Sequence, residues 1–161
     1  MKYKFTKRQK TINGTTLHQI QAFKNFGNVK KGDVGGWLET EDNLSHEGNA
    51  WVSGNAQVSG NARVSHDARV SGNARVSDDA WVSGNARVSG NARVSDDALV
   101  SGNARVSGNA WVSGNAWSGD ETPTPNPDLP DILSALPKEV TSITISGKTY
   151  KLETKWVLQD N

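Results

Sequence analysis

Of the three histidines in the chain, His18, His46 and His66, two have an acidic neighbour in sequence, Glu47 beside His46 and Asp67 beside His66, and the second pair is a regular turn of a repeat. An imidazole beside a carboxylate is the smallest set that could act as a general base, and it works only with an orienting partner and a substrate pocket. His18 has no such neighbour, and His66 stands where most copies of a repeat carry glycine. The other chemistry on offer is oxygen ligation. Asp78-Asp79 and Asp96-Asp97 recur eighteen residues apart, a carboxylate-rich set of the kind calcium accepts. Aspartate is also an ordinary turn residue, and Arg75 and Arg93 stand three places before each pair, so the four are read as turns and no metal is expected. The chain has no cysteine, which removes thiol nucleophiles and thiolate metal sites. No dinucleotide fingerprint or phosphate-binding Gly-Lys loop is present. These residues predict no catalytic group and no cofactor.

What must position them is a repeat. From Trp51 to Trp117 the chain reads WVSGNA QVSGNA RVSHDA RVSGNA RVSDDA WVSGNA RVSGNA RVSDDA LVSGNA RVSGNA WVSGNA W, a hexad with almost no drift. Residues 69–86 and 87–104 are identical except that Trp81 becomes Leu99, so the copied unit is eighteen residues. That is the length of one triangular turn of a β-helix, with three short strands per coil and coils stacked about 4.8 Å apart. Each valine points inward, the alanine four places later fits the tapered interior, and Gly-Asn, Asp-Asp or His-Asp turns the corner with the positive φ such residues tolerate. About four coils follow from this spacing. A hydrophobic content of 34% suits a narrow Val/Ala column better than a conventional globular core.

The segments Thr16–Ala22 (TLHQIQA), Gly32–Ser45 (GDVGGWLETEDNLS) and GNAWVSGNA resemble the YdcK-type β-solenoid proteins, over residues 1–117. The resemblance implies a left-handed parallel β-helix of hexapeptide repeats and a phage or prophage origin. Similarity to other left-handed β-helices implies homotrimers. Hexapeptide solenoids also include acyltransferases, in which a histidine near a subunit cleft works with a loop thrown out from a coil and a thioester cofactor lies along the solenoid. No hexad between Trp51 and Trp117 carries such a loop.

The organisation read from the sequence has four parts. Residues 1–50 form a cap and an irregular first coil. Tyr3 and Phe5 alternate with polar residues and Asn13-Gly14 is a hairpin turn, so a small β-layer is expected over the open end of the helix. Two extra residues between Leu44 and Val52 widen the corner around His46 to Asn49. Residues 51–117 are the solenoid, and residues 118–130 are a proline-rich acidic linker. Residues 131–161 hold a C-terminal β-hairpin, with Ile143 and Ile145 facing Tyr150 and Leu152 across a Gly147-Lys148 turn and a third strand at 155–158. This element is the expected site of any partner-specific contact.

Lys and Arg exceed Asp and Glu by eight to five in residues 1–50 and by six to five in 51–117, and trail them by four to seven in 118–161. That distribution, +3, +1 and −3, argues against a generally basic nucleic-acid binder and against an acidic DNA mimic. No apolar run spans a bilayer and no secretion signal is seen, so we expect no membrane and a place in the host cytoplasm or the virion.

The residue before each valine points outward and sorts into three stacked faces. Trp51, Arg69, Arg87 and Arg105 share one, Gln57, Arg75, Arg93 and Trp111 the second, and Arg63, Trp81, Leu99 and Trp117 the third. Trp81, Leu99 and Trp117 form an apolar stripe of a kind monomers seldom leave wet, to be covered by the C-terminal tail, by another subunit or by a ligand. Arg69, Arg87 and Arg105 form either a solubilising face or a strip for an acidic partner. The function expected is a non-catalytic scaffold or protein-interaction module, structural or host-interacting. The alternatives are an acyltransferase-like enzyme and a phage protein that blocks a host defence factor.

Overall fold

Each coil bends at a residue in the left-handed region. In the computed structural model of the protein, which describes residues 1–119 and the backbone of residues 142–145 and 148–151, every sixth residue from Gly48 to Gly114 has φ between +56° and +69°. Nine of those twelve positions are glycine, and the others are His66, Asp78 and Asp96. Between corners run twelve two-residue strands, from Trp51–Val52 to Trp117–Ser118. Each pairs in parallel with the strand eighteen residues away, so that Arg87 lies between Arg69 and Arg105, Arg93 between Arg75 and Trp111, and Leu99 between Trp81 and Trp117. The result is an all-β parallel solenoid of about five coils, four regular ones preceded by the irregular coil that contains Trp37 and Leu44.

Backbone hydrogen bonds run along the stack. The Arg87 amide donates to the Ala104 carbonyl at 2.8 Å, Ser89 to Val106 at 2.9 Å and Asn91 to Gly108 at 2.7 Å. Side chains repeat the pattern at one corner, where the amides of Asn55, Asn73, Asn91 and Asn109 form a ladder at 3.3, 3.2 and 3.1 Å. Inside, the valines from Val52 to Val112 and most of the alanines between them are sealed from solvent. Each valine contributes about 1.5–3 kcal/mol of transfer free energy, and the contributions accumulate by contact between neighbouring coils.

The N-terminal segment forms β1 (Tyr3–Ile12) and β2 (Thr15–Ala22), an antiparallel hairpin turned at Asn13-Gly14, and β3 (Val34–Leu38). We expected a layer over the open end. The hairpin instead continues one solenoid sheet: β1, β2 and β3 join the strands of Gln57, Arg75, Arg93 and Trp111 in a single seven-stranded sheet. The first coil is covered from beneath by Lys2 and Tyr3, which reach across the widened corner. The Tyr3 hydroxyl donates to the carbonyls of Glu41 and Leu44 at 2.8 and 3.0 Å, and Lys2 Nζ donates to those of Glu47 and Ala50 at 3.3 and 2.9 Å. Buried Asn43 does the same work one corner earlier. Its Oδ1 accepts from the amides of Glu39 and Thr40, and its Nδ2 donates to the carbonyls of Gly60 and Ala62. The one helical element among the described residues is the single 3-10 turn Glu41–Asn43, and none is long enough to cross a membrane.

Near the C-terminus two further strands, Ser142–Ile145 and Lys148–Lys151, pair antiparallel, with Ile143 opposite Tyr150. Lys148 pairs with Ile145 and so belongs to the strand, not to the Gly147-Lys148 turn expected from the sequence. The acidic linker and the third strand at 155–158 lie outside the described residues.

Corner geometry predicts an unequal glycine series. A Cβ on Gly90 would sit 2.9 Å from the Gly108 amide nitrogen and 3.0 Å from its carbonyl oxygen, whereas one on Gly114 meets nothing within 4 Å. Both sites carry the positive-φ penalty of about 1–2 kcal/mol for a residue with a side chain. Gly90→Ala should therefore lower the unfolding free energy by clearly more than Gly114→Ala in urea titration, and equal losses would contradict the stacked-corner account.

Candidate functional site

The histidines fall into packing roles. His46 stacks on Tyr3 at 4.4 Å between ring centroids, and its Nδ1 accepts the Lys2 amide at 3.2 Å. That acceptor role places the imidazole proton on Nε2, which is enclosed and has no hydrogen-bond partner. Burial, the largest influence, lowers the His46 pKa; Glu41 opposes it, and the N-terminus, Lys2 and Lys24 add to it. His18 stacks on Phe5 at 5.1 Å. His66 occupies a left-handed corner, with its Nδ1 3.0 Å from Ser65 Oγ. Glu47, the carboxylate expected to accompany His46, contributes its backbone to Lys2 and Ser45.

Three of the four aspartates are used by the corner they build. Asp78 Oδ2 accepts from Ser77 Oγ at 2.7 Å and from the Asp96 amide at 3.5 Å, and Asp96 Oδ2 accepts from the Gly114 amide at 3.0 Å. Asp79 Oδ1 accepts from Asn61 Nδ2 at 2.9 Å. The carboxylate thus supplies a bond to the next coil at the very positions where a Cβ is least welcome. Among the described residues no three potential ligands converge on a point.

The outward faces are as sorted, but their side chains do not all stand free. Trp51 is covered by the cap, its ring edge-on to Phe26 at 5.4 Å. On the apolar stripe each indole leans over the preceding coil. Trp81 Nε1 donates to Ser65 Oγ and Trp117 Nε1 to Ser101 Oγ, both at 3.1 Å and sixteen residues back. Trp81, Leu99 and Trp117 are each half-buried by their own solenoid, while Trp111 on the adjacent face is 60% exposed. Tail coverage of the stripe falls outside the described residues.

Arg69 is half-buried, Arg87 and Arg105 are exposed, and the strip they make borders a shallow groove of about 260 Å³ lined by Trp51, Ser53, Arg69, Ser71, Arg87 and Ser89. Two guanidinium groups, three hydroxyls and no carboxylate make this lining suited to anions. The next face continues the positive charge in a way that sequence blocks concealed. Lys10 of β1 lies over the Trp37 ring at 4.3 Å, and burial followed by the charge of Arg75 lowers its pKa. Lys10, Trp37, Arg75 and Arg93 therefore share one outward surface, although they come from both the cap and the solenoid. Sorting the position before each valine already puts Arg75 and Arg93 on one face; nothing in the repeat pattern brings Lys10 and Trp37 of the cap to it.

The model of the YdcK Beta solenoid repeat family matches the chain in overlapping stretches that together run from residue 56 to 120. No curated protein matches the chain. The match covers the regular coils and leaves the cap before it.

His46 makes the cap acid-sensitive. Its folded pKa lies below the unfolded value, so between the two the unfolded chain binds more protons and stability falls as pH drops through that window. Protonation also removes the Nδ1 acceptor of the Lys2 amide. Thermal melts from pH 7.5 to 5 should show this loss, and His46→Gln should flatten it. A profile identical in wild type and variant would assign the acid sensitivity elsewhere.

Proposed function

We propose that the protein is a non-catalytic β-solenoid scaffold that acts by presenting stacked side chains to protein partners, and that it self-associates. The observation that carries this reading is where variation is placed. Coil after coil keeps the same inward valine and alanine and nearly the same corner, and change is concentrated at the outward position before valine, with a few substitutions at the corners. A surface built on a rigid column loses little side-chain or backbone freedom on binding, which favours recognition. Its groove is shallow and open, lined by Trp51 with serine and arginine, and among the described residues no loop is thrown across it.

A phage or prophage setting, as a virion part or as an intracellular protein that engages a host factor, is the biological context that the sequence resemblance suggests for such a scaffold. The half-buried stripe of Trp81, Leu99 and Trp117 fits a contact between subunits, because its indole nitrogens are already satisfied and only apolar ring surface remains to be covered. A trimer is the assembly that resemblance to other left-handed β-helices implies.

Absolute mass from light scattering on a sizing column tests the self-association, with a multiple of 17.3 kDa expected. Titration with an acyl-thioester cofactor, followed by calorimetry, tests the catalytic reading. No saturable heat is expected, whereas saturable binding together with an activity lost in His46→Ala would overturn the scaffold reading in favour of an enzyme.

A further inference from the structure

The coil sorts its charges across the prism. Of the six arginines in residues 51–117, five lie on the two faces that meet at the Gly-Asn corner: Arg69, Arg87 and Arg105 on one side, Arg75 and Arg93 on the other. That corner is built from Gly54-Asn55, Gly72-Asn73, Gly90-Asn91 and Gly108-Asn109 and holds no acid. All five aspartates of the same stretch stand at the other two corners, Asp67 at one and Asp78, Asp79, Asp96 and Asp97 at the other. Between those two corners lies the remaining face, with Arg63 at its first coil and Trp81, Leu99 and Trp117 on the next three. A nearly neutral repeat therefore has a basic ridge along one edge, and directly opposite it an apolar stripe walled by carboxylates on one side, Asp78, Asp79, Asp96 and Asp97, and by Gly-Asn turns on the other.

We propose that this opposition is a self-complementary docking surface: the arginine ridge of one copy seats on the apolar face of a second copy and against the carboxylate wall along its one side. Three observations support a second copy over a foreign partner. Both surfaces repeat with the same period, because both arise from the eighteen-residue coil, so guanidinium and carboxylate ladders about 4.8 Å apart stay in register over successive coils. Both surfaces occupy the same coils, Arg69 to Arg105 against Asp78 to Trp117, so two copies align side by side without sliding. The chemistry is matched as well. Arginine planes stack on indole faces, and those that reach past the stripe meet the carboxylate wall. A foreign polyanion would account for the ridge alone and leave the stripe unexplained.

The contact uses different patches on the two copies, and those patches point in opposite directions. Repeated without rotation, such a contact propagates as an open row and does not close into a ring. The proposal rests on the self-associating scaffold described above and replaces the trimer expected by resemblance with a lateral row.

A complementation experiment with the full chain tests it. Arg87→Glu/Arg93→Glu spoils the ridge, and Asp79→Lys/Asp97→Lys spoils an acidic wall while leaving Asp78 and Asp96 their bonds to the next coil. Wild type should show a light-scattering mass that grows with concentration at low salt and falls toward one chain in high salt. Each variant alone should associate about tenfold or more weakly, and an equimolar mixture of the two should recover pairs of twice 17.3 kDa, because each supplies the surface the other lacks. Circular dichroism and melting confirm folding, and Arg87→Gln/Arg93→Gln gives the same direction should the glutamates misfold. An oligomer of fixed size that ignores salt and both variants would sink the ridge-to-face contact and leave the scaffold reading intact. A single chain at every concentration would sink both. Association without pairing in the mixture would move the ridge's partner to the chain's own acidic tail or to another molecule, and the proposal would fail.

Discussion

Everything in this molecule depends on each residue lying against its own counterpart eighteen places along the chain. That single translation closes the backbone hydrogen bonds between coils, stacks valine on valine in a dry column, and brings glycine against glycine at corners where a Cβ would meet the next backbone at about 3 Å. It also explains why the sequence hardly drifts. A substitution at an inward or corner position is felt by the coils above and below, whereas one before a valine meets solvent. The exceptions at the corners support the rule. Asp78 and Asp96 keep a side chain at left-handed φ, and each turns its carboxylate onto the amide of the following coil.

A stack needs a beginning, and the cap shows how polar side chains replace the coil that is missing. Lys2 and Tyr3 direct donors at carbonyls of the irregular first coil, which have no coil below to bond them, and Asn43 within that coil does the same for the Gly60 and Ala62 carbonyls of the next. The cost is a buried amine pushed down to about 8, chiefly by desolvation, and a phenol held above its ordinary range for the same reason. His46 belongs to this set. Its ring fills the widened corner against Tyr3, and its nitrogen chemistry is committed to the Lys2 amide on one side. The arrangement that looked most like a catalytic dyad in the sequence is thus occupied with closing the end of the column.

On the scaffold reading proposed above, function moves from individual groups to periodic surfaces. A guanidinium, a carboxylate or an indole repeated at the coil spacing recognises whatever carries the same spacing, and a rigid rod keeps that spacing over several coils. The overlap of the regular coils with the YdcK Beta solenoid repeat model concerns this column, and individuality resides in the outward residues and in the cap.

The repeat was legible in the chain because its period is short, its inward residues are invariant and its corner residues advertise positive φ. From Trp51 onward, spacing alone determined the coil length, the three faces and the register of Arg87 between Arg69 and Arg105. The cap was legible only in part. Asn13-Gly14 marked a hairpin, but whether that hairpin would lie over the column or extend one of its sheets depends on contacts between residues far apart in sequence, such as β3 against the strand of Gln57. The lean of Trp81 onto Ser65 and the seat of Lys10 on Trp37 were likewise invisible, since periodicity gives the face a side chain leaves from and not the direction it then takes. Sequence by itself determined the column, because a local pattern repeated at constant spacing sets each residue on its counterpart one coil away. Only the tertiary structure decided what covers its first coil and which cations share a surface, because those are settled by packing between segments that obey different patterns.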